Sequence, residues 1–64
     1  MGDTIKTSEV IEKLKENGCY FVRHKTNHDS WYSPISGNYF MIPRHFKIKM
    51  NTARNIYKQA GIKV

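Results

Sequence analysis

Two apolar stripes of helical period, one near each end of the chain, leave this sequence few ways to fold. Val10, Ile11 and Leu14 recur at i, i+1 and i+4, and Ala53, Ile56, Tyr57 and Ala60 repeat the pattern near the C-terminus. Between them lie three short runs rich in aromatic and β-branched residues, Cys19 to Arg23, His28 to Ser33 and Tyr39 to Ile42. A helix with a one-sided stripe must bury it, and a sheet is the only other element on offer. The order is therefore α-β-β-β-α. The expected class is α+β, a three-stranded antiparallel sheet with both helices on one face.

Local signals set the boundaries. Thr7 or Ser8 is a good N-cap, with Glu9 and Glu12 following where the helix dipole favours negative charge. Asn17-Gly18 ends this helix, which is expected from about Ser8 to Asn17. Ser33-Pro34-Ile35-Ser36-Gly37-Asn38 carries turn chemistry, and Pro43 closes the third strand. Arg44 to Met50 reads as a basic connection, after which Asn51 or Thr52 caps the second helix. Gly61 stops that helix and Ile62 folds back on the core. Residues 1–6 read as a short N-terminal extension, with Met1 to Thr4 a loose end, and 7–64 as one domain.

Size limits what the chain can hold. A chain of 64 residues buries only roughly 60% of its unfolded surface, which argues for a shallow surface site and against a large organic cofactor. A lone cysteine, Cys19, excludes an internal disulfide, and with no Cys/His cluster no metal site is expected. No apolar run approaches the roughly 20 residues that span a bilayer, and the N-terminus lacks a secretory apolar stretch. No membrane association is expected, and the chain reads as cytoplasmic.

Charge is placed unevenly. Through Asp29, Lys6, Lys13, Lys15, Arg23 and Lys25 are balanced by Asp3, Glu9, Glu12, Glu16 and Asp29. From Ser30 onward Arg44, Lys47, Lys49, Arg54, Lys58 and Lys63 have no acid among them, so the net charge of +6 belongs to this half. Such asymmetry suggests a polyanionic partner, nucleic acid first. The plainer alternative is a basic surface that keeps a small protein soluble.

The stretch Lys25-Thr26-Asn27-His28-Asp29 falls at the junction of the first two strands. A histidine there is held by a sheet yet meets solvent, and its ordinary pKa of about 6.5 suits proton transfer near neutrality. From spacing alone the commoner reading is a polar strand-end residue.

The order of elements and several motifs resemble the HicA toxin family, small bacterial mRNA interferases of toxin–antitoxin pairs. The motifs are Ser8-Glu9-Val10-Ile11 with Asn17-Gly18, Val22-Arg23 leading into Asn27-His28, Ile42-Pro43-Arg44-His45, and Thr52-Ala53-Arg54 with Lys58-Gln59-Ala60-Gly61. In order and at this spacing they cover nearly the whole chain. The resemblance implies a fold similar to a double-stranded-RNA-binding domain and a metal-independent ribonuclease acting on mRNA. It also implies a HicB-type antitoxin that covers the active site and the basic surface. By position it assigns the catalytic histidine to His28. Thr26 and Asn27 stand where the family often has glycine and serine, and Met50-Asn51 where it often has Pro-Gly.

On that reading His28 performs general acid–base catalysis, Arg23, Lys25, Arg44 and Lys47 hold the RNA backbone, and Asn27 offers donors and an acceptor to phosphate or ribose. His45 is either a second proton carrier or, the preferred reading, a strand-end histidine bonded to a carbonyl. His24 receives no role. Asp29 points to the opposite face from His28 and pairs with a nearby base. Trp31, Tyr32, Tyr39 and Phe40 are read mainly as core, with one or two left on the sheet face opposite the helices. Two other functions fit the same fold: a non-catalytic RNA-binding module, in which His28 is dispensable, and a protein-binding adaptor without RNA affinity. A double-stranded-RNA role is weakened because the last helix opens Asn51-Thr52-Ala53-Arg54 without a lysine run.

Overall fold

The computed structural model describes residues 3–63. The elements run β1 (Thr4–Lys6), α1 (Thr7–Glu16), β2 (Tyr20–His24), β3 (His28–Ser33), β4 (Asn38–Pro43), β5 (Lys47–Lys49) and α2 (Met50–Ala60). The expected meander is present as an antiparallel sheet in the order β2-β3-β4. The helices cover one of its faces. Val10 and Leu14 of α1, and Ala53, Ile56, Tyr57 and Ala60 of α2, close over Trp31, Phe40 and Ile42.

A second, two-stranded sheet joins β1 to β5, pairing Thr4 with Lys49, Ile5 with Ile48 and Lys6 with Lys47. Part of the expected N-terminal extension is thus a strand, and the expected basic connection contains its partner; Met1 and Gly2 lie outside the described residues. The alternation explains the pairing. Ile48 is buried and Ile5 half-buried, while Thr4, Lys6, Lys47 and Lys49 stay exposed.

Both helices begin earlier than expected, and neither uses a side-chain cap. Lys6 and Lys49 occupy the N-cap positions in extended conformation, each at the end of its own strand. Thr7 is already helical, and its hydroxyl donates instead to the carbonyl of His45. The strands hand the chain directly to the helices, so no separate capping turn forms.

The helix C-termini follow the sequence more closely. Gly61 takes φ 79° and its N–H returns to the Lys58 carbonyl, while Ile62 N–H reaches Tyr57 and its side chain is buried. A Cβ at Gly61 would stand 3.1 Å from Ser36 Cβ and 3.2 Å from Ile35 Cγ2, so glycine serves both the left-handed turn and the packing. The β3–β4 turn is fastened to the same helix end. Buried Ser33 Oγ donates to the Ala60 carbonyl at 2.5 Å and accepts from Ile35 N–H, and Ser36 Oγ donates to Gln59 at 2.7 Å. These bonds satisfy carbonyls that the helix end would otherwise leave unpaired.

Tyr57 links this core to pH. Burial, reinforced by the Glu9 carboxylate, raises its phenol above the ordinary value of 10.0. The folded state therefore favours the protonated form more than the unfolded chain does. That contribution is complete below the unfolded pKa and is lost as pH rises through the folded one. Denaturant melts from about pH 9 to about pH 12 are expected to show a loss of stability that Tyr57→Phe reduces. Identical alkaline profiles for the two proteins would refute the coupling.

Candidate active site

Strand register sorts the side chains of the three-stranded sheet into two faces. On the helix side, Phe21, Trp31 and Phe40 form one row and His24, Asp29 and Ile42 another. On the outer side, Tyr20, Tyr32 and Tyr39 form one row, Arg23, Ser30 and Met41 the next, and His28 stands beside Pro43 at the end. A bulge between Phe21 and Arg23 shifts the parity of β2, placing Arg23 outward and His24 inward.

The loop carrying the candidate histidine is short. Lys25 N–H donates to the His28 carbonyl at 2.8 Å, so only Lys25, Thr26 and Asn27 separate the strands. Among the described residues no non-glycine φ is positive, so the loop closes without the glycine that Thr26 replaces. His28 is exposed at its edge.

Arg44 holds this loop. Its Nη2 donates to the carbonyls of Lys25 and Thr26, and its backbone N–H to that of Asn27 at 3.4 Å. Its Nη1 lies 3.3 Å from His24 Nε2 and its Nε 3.5 Å from Asp29 Oδ1. Asp29 Oδ1 is also 3.0 Å from His24 Nδ1. An arginine can only donate, so His24 Nε2 accepts from it and the ring proton sits on Nδ1, facing Asp29. Neither contact to Asp29 is aligned as a hydrogen bond, and the coulombic attraction there comes from the Arg44 guanidinium.

His24, given no role by its sequence position, therefore belongs to the support of the loop. The bulge that turns it inward left no legible mark on β2. Asp29 faces away from His28, as its alternation requires, and pairs with Arg44 and His24.

Thr26, Asn27, His28, Arg44 and His45 line one open groove of about 510 Å³. Two histidines, an arginine and an amide thus meet at one solvent-facing place. His45 is tied to α1 through its carbonyl, which accepts from the Thr7 hydroxyl, and its side chain is exposed. The other sequence-predicted residues lie elsewhere. Arg23 and Lys25 border a second groove on the outer sheet face, with Val22, Ser30, Tyr39 and Met41. Lys47 sits on the β1–β5 ribbon opposite Lys6. Among the described residues, no three His, Cys, Asp or Glu side chains converge as metal ligands. No helix among them is long and apolar enough to cross a membrane.

Residues 7–62 match the family model of the HicA toxin of bacterial toxin–antitoxin systems. The chain belongs to that family. It is the toxin component of a toxin–antitoxin pair, and its two helices on a three-stranded antiparallel sheet agree with the fold expected of such toxins. An antitoxin is accordingly the partner of this toxin. No curated protein and no solved structure gives a significant match.

Proposed function

We propose that this toxin is an endoribonuclease that cleaves mRNA, with His28 as its proton-transferring residue. RNA carries its own nucleophile. The 2′-oxygen attacks the adjacent phosphorus, the bond from phosphorus to the 5′-oxygen breaks, and a 2′,3′-cyclic phosphate and a 5′-hydroxyl result. The chemistry needs a base at the 2′-hydroxyl, an acid at the leaving oxygen and donors around the phosphate.

The observation that carries this reading is the meeting of His28 and His45 in one groove with Asn27 and Arg44. Two imidazoles lining one groove are the acid–base pair that such a cleavage asks for, with His45 as the second proton carrier. The exposed Asn27 amide and a cationic surround supply donors for the phosphate. A HicB-type antitoxin silences the toxin by covering this groove and the basic surface around it, through acidic complementarity.

The test is end-group analysis. Purified toxin incubated with a defined single-stranded mRNA fragment, with and without a chelator, is expected to leave 2′,3′-cyclic phosphate and 5′-hydroxyl ends in both cases. Products bearing 5′-phosphate ends, or cleavage abolished by the chelator, would refute the two-histidine chemistry. An intact RNA bound by the toxin would favour a binding module without catalysis.

A further inference from the structure

The outer sheet face carries a row of aromatic rings that the cleavage groove does not use. Tyr20, Tyr32 and Tyr39 stand side by side across all three strands, with ring centroids 5.5 Å and 4.9 Å apart. No helix covers them. Tyr39 is 67% exposed and Tyr20 53%, and Met41 beside them is 46% exposed. In a chain this small, leaving so much aromatic surface in water forgoes core that the fold could have used.

From the register, this row and His28 lie on the same face. Tyr32 lies four residue steps along β3 from His28, about 14 Å at roughly 3.4 Å per residue. Between them the middle row dips. Ser30 is small and buried, while Arg23 and Met41 flank it, and the result is an open groove of about 390 Å³. Arg23 and Lys25 line that groove. The one carboxylate on these three strands, Asp29, faces the other side and is already paired with Arg44 and His24. The face thus combines exposed aromatic rings and fixed positive charge, with no acid among its described residues.

We propose that the outer face of the sheet is a stacking platform for the single-stranded RNA next to the scissile bond. Bases lie against Tyr20 and Tyr39, Tyr32 braces the two rings, and Arg23 and Lys25 take the phosphates on the way to His28. Charge complementarity selects the occupant. A polyanion with flat apolar bases satisfies both the rings and the cations, as aromatic sheet faces do in other single-strand binders. An A-form duplex offers no unstacked base to the rings and is rejected. The proposal rests on the ribonuclease reading and deepens it, by making the substrate single-stranded and giving it a direction across the sheet.

The decisive experiment measures binding of the full toxin to an uncleavable 2′-O-methyl oligonucleotide, single-stranded or as a duplex, over a range of salt. Cleavage of the unmodified strand is followed in parallel. Tyr20→Ala and Tyr39→Ala are each expected to weaken single-strand binding about tenfold, with the duplex unaffected and the salt slope unchanged. Tyr39→Phe keeps the ring and is expected to bind as the unaltered toxin does. Arg23→Gln and Lys25→Gln are expected to lower the salt slope by about one each. Circular dichroism controls for folding, and both tyrosines are exposed enough to be replaced without loss of core.

Equal binding by the alanine variants, with cleavage intact, would overturn the platform and leave the ribonuclease standing. Loss of antitoxin binding or of self-association in those variants, with RNA affinity unchanged, would assign the face to a protein instead. A toxin that neither binds nor cuts RNA would overturn both readings.

Discussion

His28→Ala is expected to lower RNA cleavage by roughly 10²–10⁴-fold, the usual contribution of a positioned general acid or base, and to abolish growth arrest on induction. The fold should not notice. His28 is exposed at the edge of a hairpin loop, and surface substitutions of that kind change stability by about 0.5 kcal/mol or less. Matching circular dichroism spectra for the two proteins would therefore locate the loss in chemistry. His45→Ala completes the test. With two proton carriers the pH–rate profile is bell-shaped, and removing either histidine erases one limb of it. Equal toxicity of the His28→Ala and unaltered chains would sink the assignment and transfer the effect to His45 or to RNA sequestration.

The elements that were legible in the sequence are those whose signal is local and repeated. Two helical stripes and three aromatic runs specified the main sheet and put both helices on one face of it, because each helix had one apolar side and one place to put it. The buried face of the first of these strands stayed open, since Cys19/Phe21 and Tyr20/Val22 are both apolar. Gly61 was legible for a similar reason, since a left-handed turn at a helix end has few other residues to choose from. The β1–β5 ribbon was not. Thr4-Ile5-Lys6 and Lys47-Ile48-Lys49 hold one apolar residue each, too few to show alternation, and only the folded helices bring positions 4 and 49 together. The family motifs pointed to His28, and the alternation of β3 turned Asp29 away from it. The bulge in β2 has no sequence signature, because Val22 resembles any strand residue, and so the inward turn of His24 was not legible either. The aromatic residues divided along the same lines. Trp31 and Phe40 are core as expected, while Tyr39 remains in water and Tyr32 is half-covered between its neighbours.

Arg44→Ala is expected to reduce cleavage about 10²-fold, and to do so mainly through kcat. The reason lies in how its donors are already engaged. A guanidinium has five N–H groups. Both on Nη2 are directed to the Lys25 and Thr26 carbonyls, one on Nη1 meets His24 and the one on Nε faces Asp29. One remains for a phosphate, too few for the bidentate grip that arginine usually offers. Arg44 holds the three-residue loop, and on the proposed ribonuclease reading it acts chiefly as a positioning residue that presents Asn27 and His28 to the RNA in a fixed geometry. Displacement of a catalytic group by about 1 Å is enough to cost about 10²-fold. Lysine separates the two roles, because it keeps the charge but cannot fork between two carbonyls. Arg44→Lys is expected to keep KM near that of the unaltered toxin, while kcat stays as low as in Arg44→Ala and the pH–rate profile keeps its shape. Full recovery of kcat by lysine would show instead that Arg44 is a point charge for phosphate, and the loop would then have to hold itself.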